Sequence, residues 1–170
     1  MPQLKDPNFE QTVVLLCEHS ADGALGVVVN RPTPFLLGQI YEGQQVEGTG
    51  SAEQPILYGG PVQPEMGFVL YEGGEYEGSA EVVRGLRLST SMDVLRDIAA
   101  GKGPERFLFA LGYAGWAPDQ LEQEIARNDW LVVPADPELL FRVPPGELWT
   151  AAVRSLGIDP GLLTQDFGTA

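Results

Sequence analysis

Short apolar runs alternate with polar, glycine-rich stretches along the chain and predict a sheet built mainly from short strands. Residues 12–17, which are apolar on both faces and rich in β-branched residues, predict a strand buried on both sides, and residues 26–30 predict a second one. Residues 56–58 predict a short strand, and the apolar run at residues 106–112 predicts another strand in the interior of the sheet. A turn at residues 21–23 joins the first two, which predicts a hairpin in the interior of the sheet.

Further extended segments follow the same pattern. The Gly73-Gly74 pair separates residues 67–72 from the segment that begins at Tyr76, which predicts a hairpin turn. Residues 82–88 continue in extended form, and residues 130–133 predict another strand. Residues 42–54 are polar and glycine-rich, which predicts an exposed, mobile excursion.

A second periodicity indicates helices between these strands. Thr90 or Ser91 can cap a helix over residues 92–100, whose apolar side chains form one stripe that ends before Gly101. Other helices are predicted at residues 35–40, at residues 118–127, from Asp136, and at residues 147–156.

The order of elements defines the fold class. The first half of the chain is nearly all hairpins, so a regular strand–helix alternation is excluded. We therefore predict an α+β fold with a mixed, mostly antiparallel sheet surrounded by helices. A chain of 170 residues is of ordinary size for one domain, so residues 1–170 are expected to form a single compact unit.

The net charge of the chain limits the classes of partner that it is expected to bind. The chain carries 24 acidic residues against 10 basic ones, for a net charge of −14, which makes direct nucleic-acid binding and docking on an anionic membrane unexpected. The sequence shows neither a secretory signal nor an apolar run of about 20 residues, so we expect a cytoplasmic protein without a membrane segment. One cysteine and one histidine cannot build a zinc cluster, and neither a metal nor a cofactor is predicted.

Cys17 and His19 are the candidates for catalysis. Two residues apart in a strand, they are expected on the same face, where a cysteine–histidine pair can generate a nucleophilic thiolate. The alternative is a core cysteine beside a histidine at a strand end, because buried cysteines are common.

Candidate ligand-binding residues lie at turns. Residues 112–116 are expected to leave an interior strand and enter a helix, where open α/β sheets bind ligands, with Tyr113 and Trp116 as pocket walls. The alternative is that both aromatic rings fill the core. Gly59 and Gly60 suggest either an anion cradle or a tight turn.

Four polar residues complete this candidate set because they flank such turns, namely Asn30, Arg31, Glu122 and Asn128. Of these, Arg31 and Glu122 are also a candidate structural ion pair.

A set of motifs, taken together, points to a known family. In chain order they include Asp6-Pro7-Asn8-Phe9, Cys17-Glu18-His19, Gly26-Val27-Val28-Val29-Asn30-Arg31-Pro32, Gly59-Gly60-Pro61-Val62, Ser89-Thr90-Ser91, Gly112-Tyr113-Ala114-Gly115-Trp116, Asn128-Asp129-Trp130 and Pro134-Ala135-Asp136. With them the chain resembles the bacterial YqgE/AlgH family over nearly its whole length.

The resemblance implies a fold more than a function. It implies a compact domain with a partly barrel-like sheet surrounded by helices. One branch of the family is named for a proposed role in transcriptional regulation of alginate production, and the resemblance carries over no catalytic residues.

The chain departs from the family pattern in two places. The family has an apolar run before Met1-Pro2, so a first strand or its beginning is expected to be absent from this chain. Met66 and Tyr71 occupy positions where the family commonly has arginine and histidine.

The first hypothesis for function is therefore a non-enzymatic protein that binds a partner protein or a small ligand, in a regulatory role. The alternative is an enzyme that uses Cys17 in acyl or thiol chemistry. A third hypothesis, direct DNA binding, is suggested by the family name alone.

Overall fold

A computed structural model describes residues 9–163 of the chain. The strands are β1 (Val14–Ser20), β2 (Gly23–Val28), β3 (Pro32–Leu36), β4 (Pro55–Tyr58), β5 (Val62–Glu72), β6 (Ala80–Val83), β7 (Leu86–Ser89) and β8 (Phe107–Trp116). The helices are α1 (Leu37–Gln44), α2 (Met92–Ala99), α3 (Gln120–Ala126), α4 (Pro137–Arg142), α5 (Pro145–Ser155) and α6 (Pro160–Leu163).

The sheet is organised around β8. Its strand order is β1-β2-β8-β5-β7-β6, with antiparallel neighbours throughout, while β4 runs parallel to β8 and also pairs with β3. The sheet curls until its two end strands, β1 and β6, approach each other without pairing. The predicted α+β class, with a mostly antiparallel and partly barrel-like sheet in one compact domain, is confirmed.

Each face of the sheet carries its own part of the core. One cluster of buried side chains, which we call the concave cluster, consists of Leu15, Val27, Val29, Leu57, Phe68, Leu70, Leu86, Ala110, Leu140 and Leu148. Along β5, Phe68 and Leu70 belong to this cluster, whereas Val69 and Tyr71 pack with α1 and α2 on the other face, as the two-residue period of a strand requires. A smaller cluster joins α3 to the end of β8. Helices α4 and α5 contribute Leu140 and Leu148 to the concave cluster, so they cover part of it.

The strongest helix signals in the sequence are confirmed. The Ser91 hydroxyl accepts a hydrogen bond from the Asp93 backbone N–H at 3.1 Å and caps α2, and Asp136 caps α4 in the same way. The helix expected at residues 35–40 begins later, because residues 32–36 form β3 against β4 and Leu36 is still extended.

The polar segment 42–54 is exposed but anchored, since α1 continues into it and the rest contacts α2. The Gly50 N–H donates to the Ala99 carbonyl at 2.8 Å, and the Tyr41 hydroxyl donates to the Gly50 carbonyl at 2.7 Å.

Two predicted strand arrangements are wrong. The Gly73-Gly74 turn does not join a hairpin, because β5 pairs with β7 and the tight hairpin lies between β6 and β7, at Arg84-Gly85. Residues 130–133 form no strand and pair with none among the described residues.

β1 also differs from its prediction. It pairs with β2 as expected, yet it ends the sheet rather than lying in its interior, and the Leu16 side chain is 39% exposed.

The glycine-aromatic segment 112–116 is not a turn but the second half of β8, where it pairs with β2. The strand bends at Gly112, whose φ of +78° is unfavourable for other residues. A Cβ on Gly112 would lie 2.3 Å from the Gly60 carbonyl oxygen, and one on Gly60 would lie 2.1 Å from the Tyr113 carbonyl carbon. Glycine at both positions therefore allows the backbone at Gly60 to lie in direct contact with the backbone of β8.

Within residues 9–163, no helix has the length and apolar character needed to cross a bilayer.

We expect Gly112→Ala to destabilise the fold by more than about 2 kcal/mol, because the added methyl group meets a positive φ and the Gly60 carbonyl. Gly115→Ala, three residues along the same strand, is the matched control. Its Cβ would lie 3.5 Å from the Tyr113 ring, so a change within about 1 kcal/mol is expected. Urea unfolding of both variants tests this, and equal losses would contradict it.

Candidate binding site

An apolar cavity of about 310 Å³ lies along the outer side of β1. Two continuous runs of residues line it, 12–16 on one side and 130–136 on the other, and we call it the edge groove. The remaining lining residues come from the body of the fold, namely Val29, Leu86, Trp116, Leu121, Ile125, Leu139, Leu140, Leu148, Trp149, Ala152 and Val153. All three tryptophans of the chain, Trp116, Trp130 and Trp149, therefore border the edge groove.

The continuity of these runs shows how the edge groove is oriented. Successive side chains of an extended segment point to opposite sides, so a cavity on one face would contact only alternate residues. Residues 12–16 line the groove without a gap, and so do residues 130–136. Along β1, therefore, the groove lies against the edge of the strand rather than against one of its faces.

Hydrogen bonding identifies the backbone groups at the β1 edge. The Val13 N–H donates to Asn30 Oδ1 at 2.8 Å, and the Val13 carbonyl accepts from the Val29 N–H at 2.9 Å, so both groups of Val13 face β2. By the alternation of a strand, the backbone groups of Val14 and Leu16 point the other way, toward the groove. Among residues 9–163 these groups have no hydrogen-bond partner, and neither have the backbone groups of residues 131–135.

Glu124 of α3 fixes one end of the segment that faces β1. Its Oε2 accepts hydrogen bonds from the indole nitrogens of Trp116, at 2.9 Å, and Trp130, at 2.7 Å. Its Oε1 accepts from the Gln120 amide at 2.9 Å. The Trp130 ring meets Phe9 and Trp116 edge to face, both at 5.7 Å between centroids. At the other end, Asp136 caps α4.

Asn30 and Arg31, both candidates from the sequence, position the other wall. The Asn30 side chain accepts from the Val13 N–H and donates to the Gln11 carbonyl at 2.9 Å. Arg31 Nη2 donates to the Glu10 carbonyl at 2.7 Å. Both side chains therefore hold the segment before β1 alongside the end of β2.

Glu122 has a different partner from the one considered in the sequence. Its Oε1 hydrogen-bonds to His19 Nε2, and both side chains are about half exposed. The bond to His19 lowers the pKa of Glu122. A carboxylate pKa lowered by folding adds stability that is complete at neutral pH and is lost as the pH falls through the lowered value.

Cys17 lacks the environment of a nucleophile. Burial, reinforced by Glu18, raises the pKa of its thiol to about 12, so the thiol is protonated at neutral pH. The register of β1 shifts between Leu16 and Glu18, which breaks the alternation of side chains. Cys17 consequently packs on the concave cluster, whereas His19 reaches α3, so the predicted common face is wrong.

The glycine candidates serve the backbone crossing. The Gly59 N–H donates to the Leu111 carbonyl at 2.8 Å, and the Gly59 carbonyl accepts from the Val28 N–H at 2.8 Å, so neither group of Gly59 is available to cradle an anion. Gly60 packs against Tyr113, as described above. Asn128 adopts a φ of +61° and donates its N–H to the Ile125 carbonyl at 2.9 Å, just past the end of α3.

Tyr113 and Trp116 lie together at a second, more open hollow of about 490 Å³, which Glu18 and Asp22 also border. Trp116 lines both this hollow and the edge groove. Ligand binding at Tyr113 and Trp116 stays a prediction. In the described part of the chain, no group of three or more histidine, cysteine, aspartate or glutamate side chains could hold a metal ion.

Sequence reasoning did not find the edge groove or the role of Glu124. The available signal was the apolar run at residues 130–133, which was interpreted as one more strand of the sheet.

We expect the Cys17 thiol to be inert in the folded protein, because its pKa of about 12 leaves almost no thiolate at neutral pH. Iodoacetamide at about pH 8, near the pKa of a free thiol, should modify the native protein slowly and the urea-unfolded protein completely. Mass spectrometry measures both, and rapid labelling of the native protein would contradict the buried environment.

We expect Glu124→Ala to destabilise the fold by about 2 kcal/mol, because it removes the shared acceptor of two indole N–H groups. Tryptophan emission should shift as Trp130 is released. Glu122→Ala removes the same charge from α3 but only an exposed pair with His19, so its loss should be clearly smaller. Urea unfolding followed by fluorescence compares the two, and equal effects would be inconsistent with this role of Glu124.

Comparison with known proteins covers nearly the whole chain. The model of a family described as AlgH-like matches residues 1–161. A UPF0301 protein from Ralstonia nicotianae is 51% identical over 173 residues, which span 100% of this chain and 91% of the relative. Another, from Thioalkalivibrio sulfidiphilus, is 46% identical and covers 100% of this chain and 92% of the relative.

Solved structures agree with the fold. The solution structure of the AlgH protein from Pseudomonas aeruginosa has a TM-score of 0.82 and 46% identity, over 100% of this chain and 92% of that one. The crystal structure of DIP2367 from Corynebacterium diphtheriae has a TM-score of 0.76 at 20% identity, over 97% and 87%, which is a likeness of fold alone. The resemblance drawn from the sequence motifs is thereby confirmed, and the chain belongs to the AlgH-like family.

Proposed function

We propose that this protein acts by binding, in a regulatory rather than a catalytic role, and that its ligand occupies the edge groove. The observation that carries the proposal is the groove itself, a concave and predominantly apolar space of about 310 Å³ bordered by three tryptophans. Ligand pockets in proteins are typically of this size and lined in this way.

The volume limits the size of the ligand. A cavity of about 150 Å³ holds benzene, which has six carbon atoms, so the edge groove has room for about a dozen non-hydrogen atoms. The lining residues also limit the charge that a bound ligand can carry. Asp136 is its one ionisable side chain within the described residues, and that carboxylate already caps α4. An apolar, uncharged group fits this environment best.

The net charge of the chain also favours some classes of partner over others. A net charge of −14 favours neutral or basic partners and opposes contact with phosphate backbones. We therefore propose a cytoplasmic protein whose partner is a protein or a small ligand, and not a nucleic acid.

The alternative, an enzyme that uses Cys17, has weaker support. A thiol whose pKa is raised to about 12 is a poor nucleophile, and His19 is engaged with Glu122. The same observations favour a structural role for Cys17 in the concave cluster.

We expect straight-chain alcohols to bind in the edge groove with an affinity that depends on chain length. Each buried methylene contributes about 0.8 kcal/mol, so affinity should rise about fourfold per carbon from butanol to decanol. It should level off at dodecanol, when about a dozen non-hydrogen atoms fill the space. Tryptophan fluorescence measures binding directly, since every tryptophan of the chain lines the groove.

The control for this series is Leu148→Gln, which places a polar group in the groove lining. It should weaken octanol and decanol alike. Absence of binding by any alcohol, or an affinity that ignores chain length, would overturn the proposed function.

A further inference from the structure

We infer that residues 73–79 form a strap over Tyr71 that opens and closes, and that the hydroxyl of Tyr71, which lacks a partner while the strap is closed, favours its opening. The strap connects β5 to β6 and contains no helix or strand. Because β7 lies between those two strands in the sheet, the strap crosses the end of β7. The inference is independent of the edge groove, which none of residues 73–79 lines.

The side chain of Tyr71 is buried without a partner for its hydroxyl. It lies on the face of β5 that packs with α1 and α2, and its exposed fraction is 0%. Among residues 9–163, this hydroxyl is the one buried side-chain polar atom that makes no hydrogen bond. Such a group raises the free energy of the closed state, because it loses its hydrogen bonds to water and gains none in return. A conformation that hydrates the hydroxyl removes this penalty.

Tyr76 is the part of the strap that packs on Tyr71. The two rings meet edge to face with 5.7 Å between their centroids. The Tyr76 hydroxyl donates to Asp97 Oδ2 at 2.9 Å, which fastens the strap to α2. Burial, the bond to Asp97 and the nearby Tyr71 hydroxyl raise the pKa of Tyr76 to about 12. The two hydroxyl groups therefore lie within electrostatic range of each other, and removal of the Tyr76 side chain admits water beside Tyr71.

The other attachments of the strap are weak. Arg87 of β7 donates from Nε to Ser79 Oγ and from Nη2 to Glu75 Oε1, both at 3.2 Å. The Glu75 side chain is 81% exposed, so this ion pair adds little stability. Of the strap residues, Tyr76 and Ser79 are partly buried and the others are exposed. A segment with so few buried contacts belongs to the least stable part of a fold and opens without general unfolding.

The ends of the strap permit this motion. Gly73 and Gly78 have φ values of +130° and +74°, which other residues rarely adopt. A Cβ added to either glycine would meet nothing within 4 Å, so the backbone is not packed against other atoms at these two positions. Rotation there moves Tyr76 away from α2 while β5 and β6 keep their pairing.

Opening changes the groups that this side of the protein presents to solvent. The closed strap covers the Tyr71 hydroxyl and occupies the Asp97 carboxylate. The open strap presents both groups, a donor and an acceptor, beside the apolar side chains that pack with α2. The strap therefore controls access to them, and the Tyr71 hydroxyl shifts the balance between the two states by penalising the closed one.

Amide hydrogen exchange in the whole chain, resolved by nuclear magnetic resonance, tests the strap. The Ser79 N–H donates to the Tyr76 carbonyl at 3.0 Å, and the Tyr76 N–H donates to Ser79 Oγ at 3.3 Å, so both amides report opening. The Ala110 amide, buried in a strand with neighbours on both sides, reports general unfolding. The two strap amides should exchange at least about a hundredfold faster than the Ala110 amide.

Three conservative variants separate the contributions. Tyr71→Phe removes the unpartnered hydroxyl and should slow exchange of both strap amides about tenfold. Tyr76→Phe keeps the ring but removes the bond to Asp97, and it should speed the same exchange about tenfold. Tyr41→Phe is the matched control, because Tyr41 is buried in the same cluster but its hydroxyl donates to the Gly50 carbonyl. It should lower stability in urea unfolding and leave the strap amides unchanged.

Three results would overturn the inference. If the strap amides exchange as slowly as the Ala110 amide, the strap does not open by itself. If Tyr71→Phe leaves their exchange unchanged or speeds it, the hydroxyl is satisfied in the closed state, for example by an enclosed water molecule. If Tyr76→Phe has no effect, the bond to Asp97 does not fasten the strap. Slower exchange in Tyr71→Phe together with faster exchange in Tyr76→Phe supports the inference, whether or not alcohols bind in the edge groove.

Discussion

Pairing of backbone hydrogen bonds is the constraint on which this structure depends. β8 satisfies it better than any other strand, because it pairs with three neighbours, β2, β4 and β5, at different points along its length. β1 satisfies it on one side only, since the curled sheet brings β1 near β6 without pairing the two. An extended chain carries hydrogen-bonding groups on both sides, so the outer groups of an end strand must be satisfied by water or by another segment of chain.

The polar contacts around β1 maintain that open edge. Asn30 and Arg31 hold residues 10–13 against the end of β2, while Glu124 holds Trp130 on α3. These contacts fix the two walls of the edge groove from opposite sides without joining them. The candidate polar residues near turns therefore matter for the site by positioning its walls, a role that differs from contact with a ligand.

Local signals predicted the elements that local interactions determine. The cap at Ser91 and the apolar stripe of α2 lie within ten residues of each other, and the structure has that helix where the sequence places it. The same holds for the hairpin of β1 and β2, which needs only a tight turn at Gly23. Interactions between distant segments were not predictable in this way. Residues 112–116 look like a turn because of their glycines, yet Gly112 permits the bend and the crossing with Gly60 that let β8 continue. Residues 130–133 have the composition of a strand, but Trp130 is bonded to Glu124 of α3 and the segment pairs with no strand among the described residues.

An unpaired strand edge is a hazard for aggregation unless the structure limits access to it. Here the register shift after Leu16 interrupts the edge, and Glu18 places a charge beside the shift. Residues 130–136 and α5 border the same groove, so they cover part of the edge that stays regular. An edge that is interrupted by a register shift, flanked by a charge and partly covered is a less favourable template for a second copy than an unprotected sheet end.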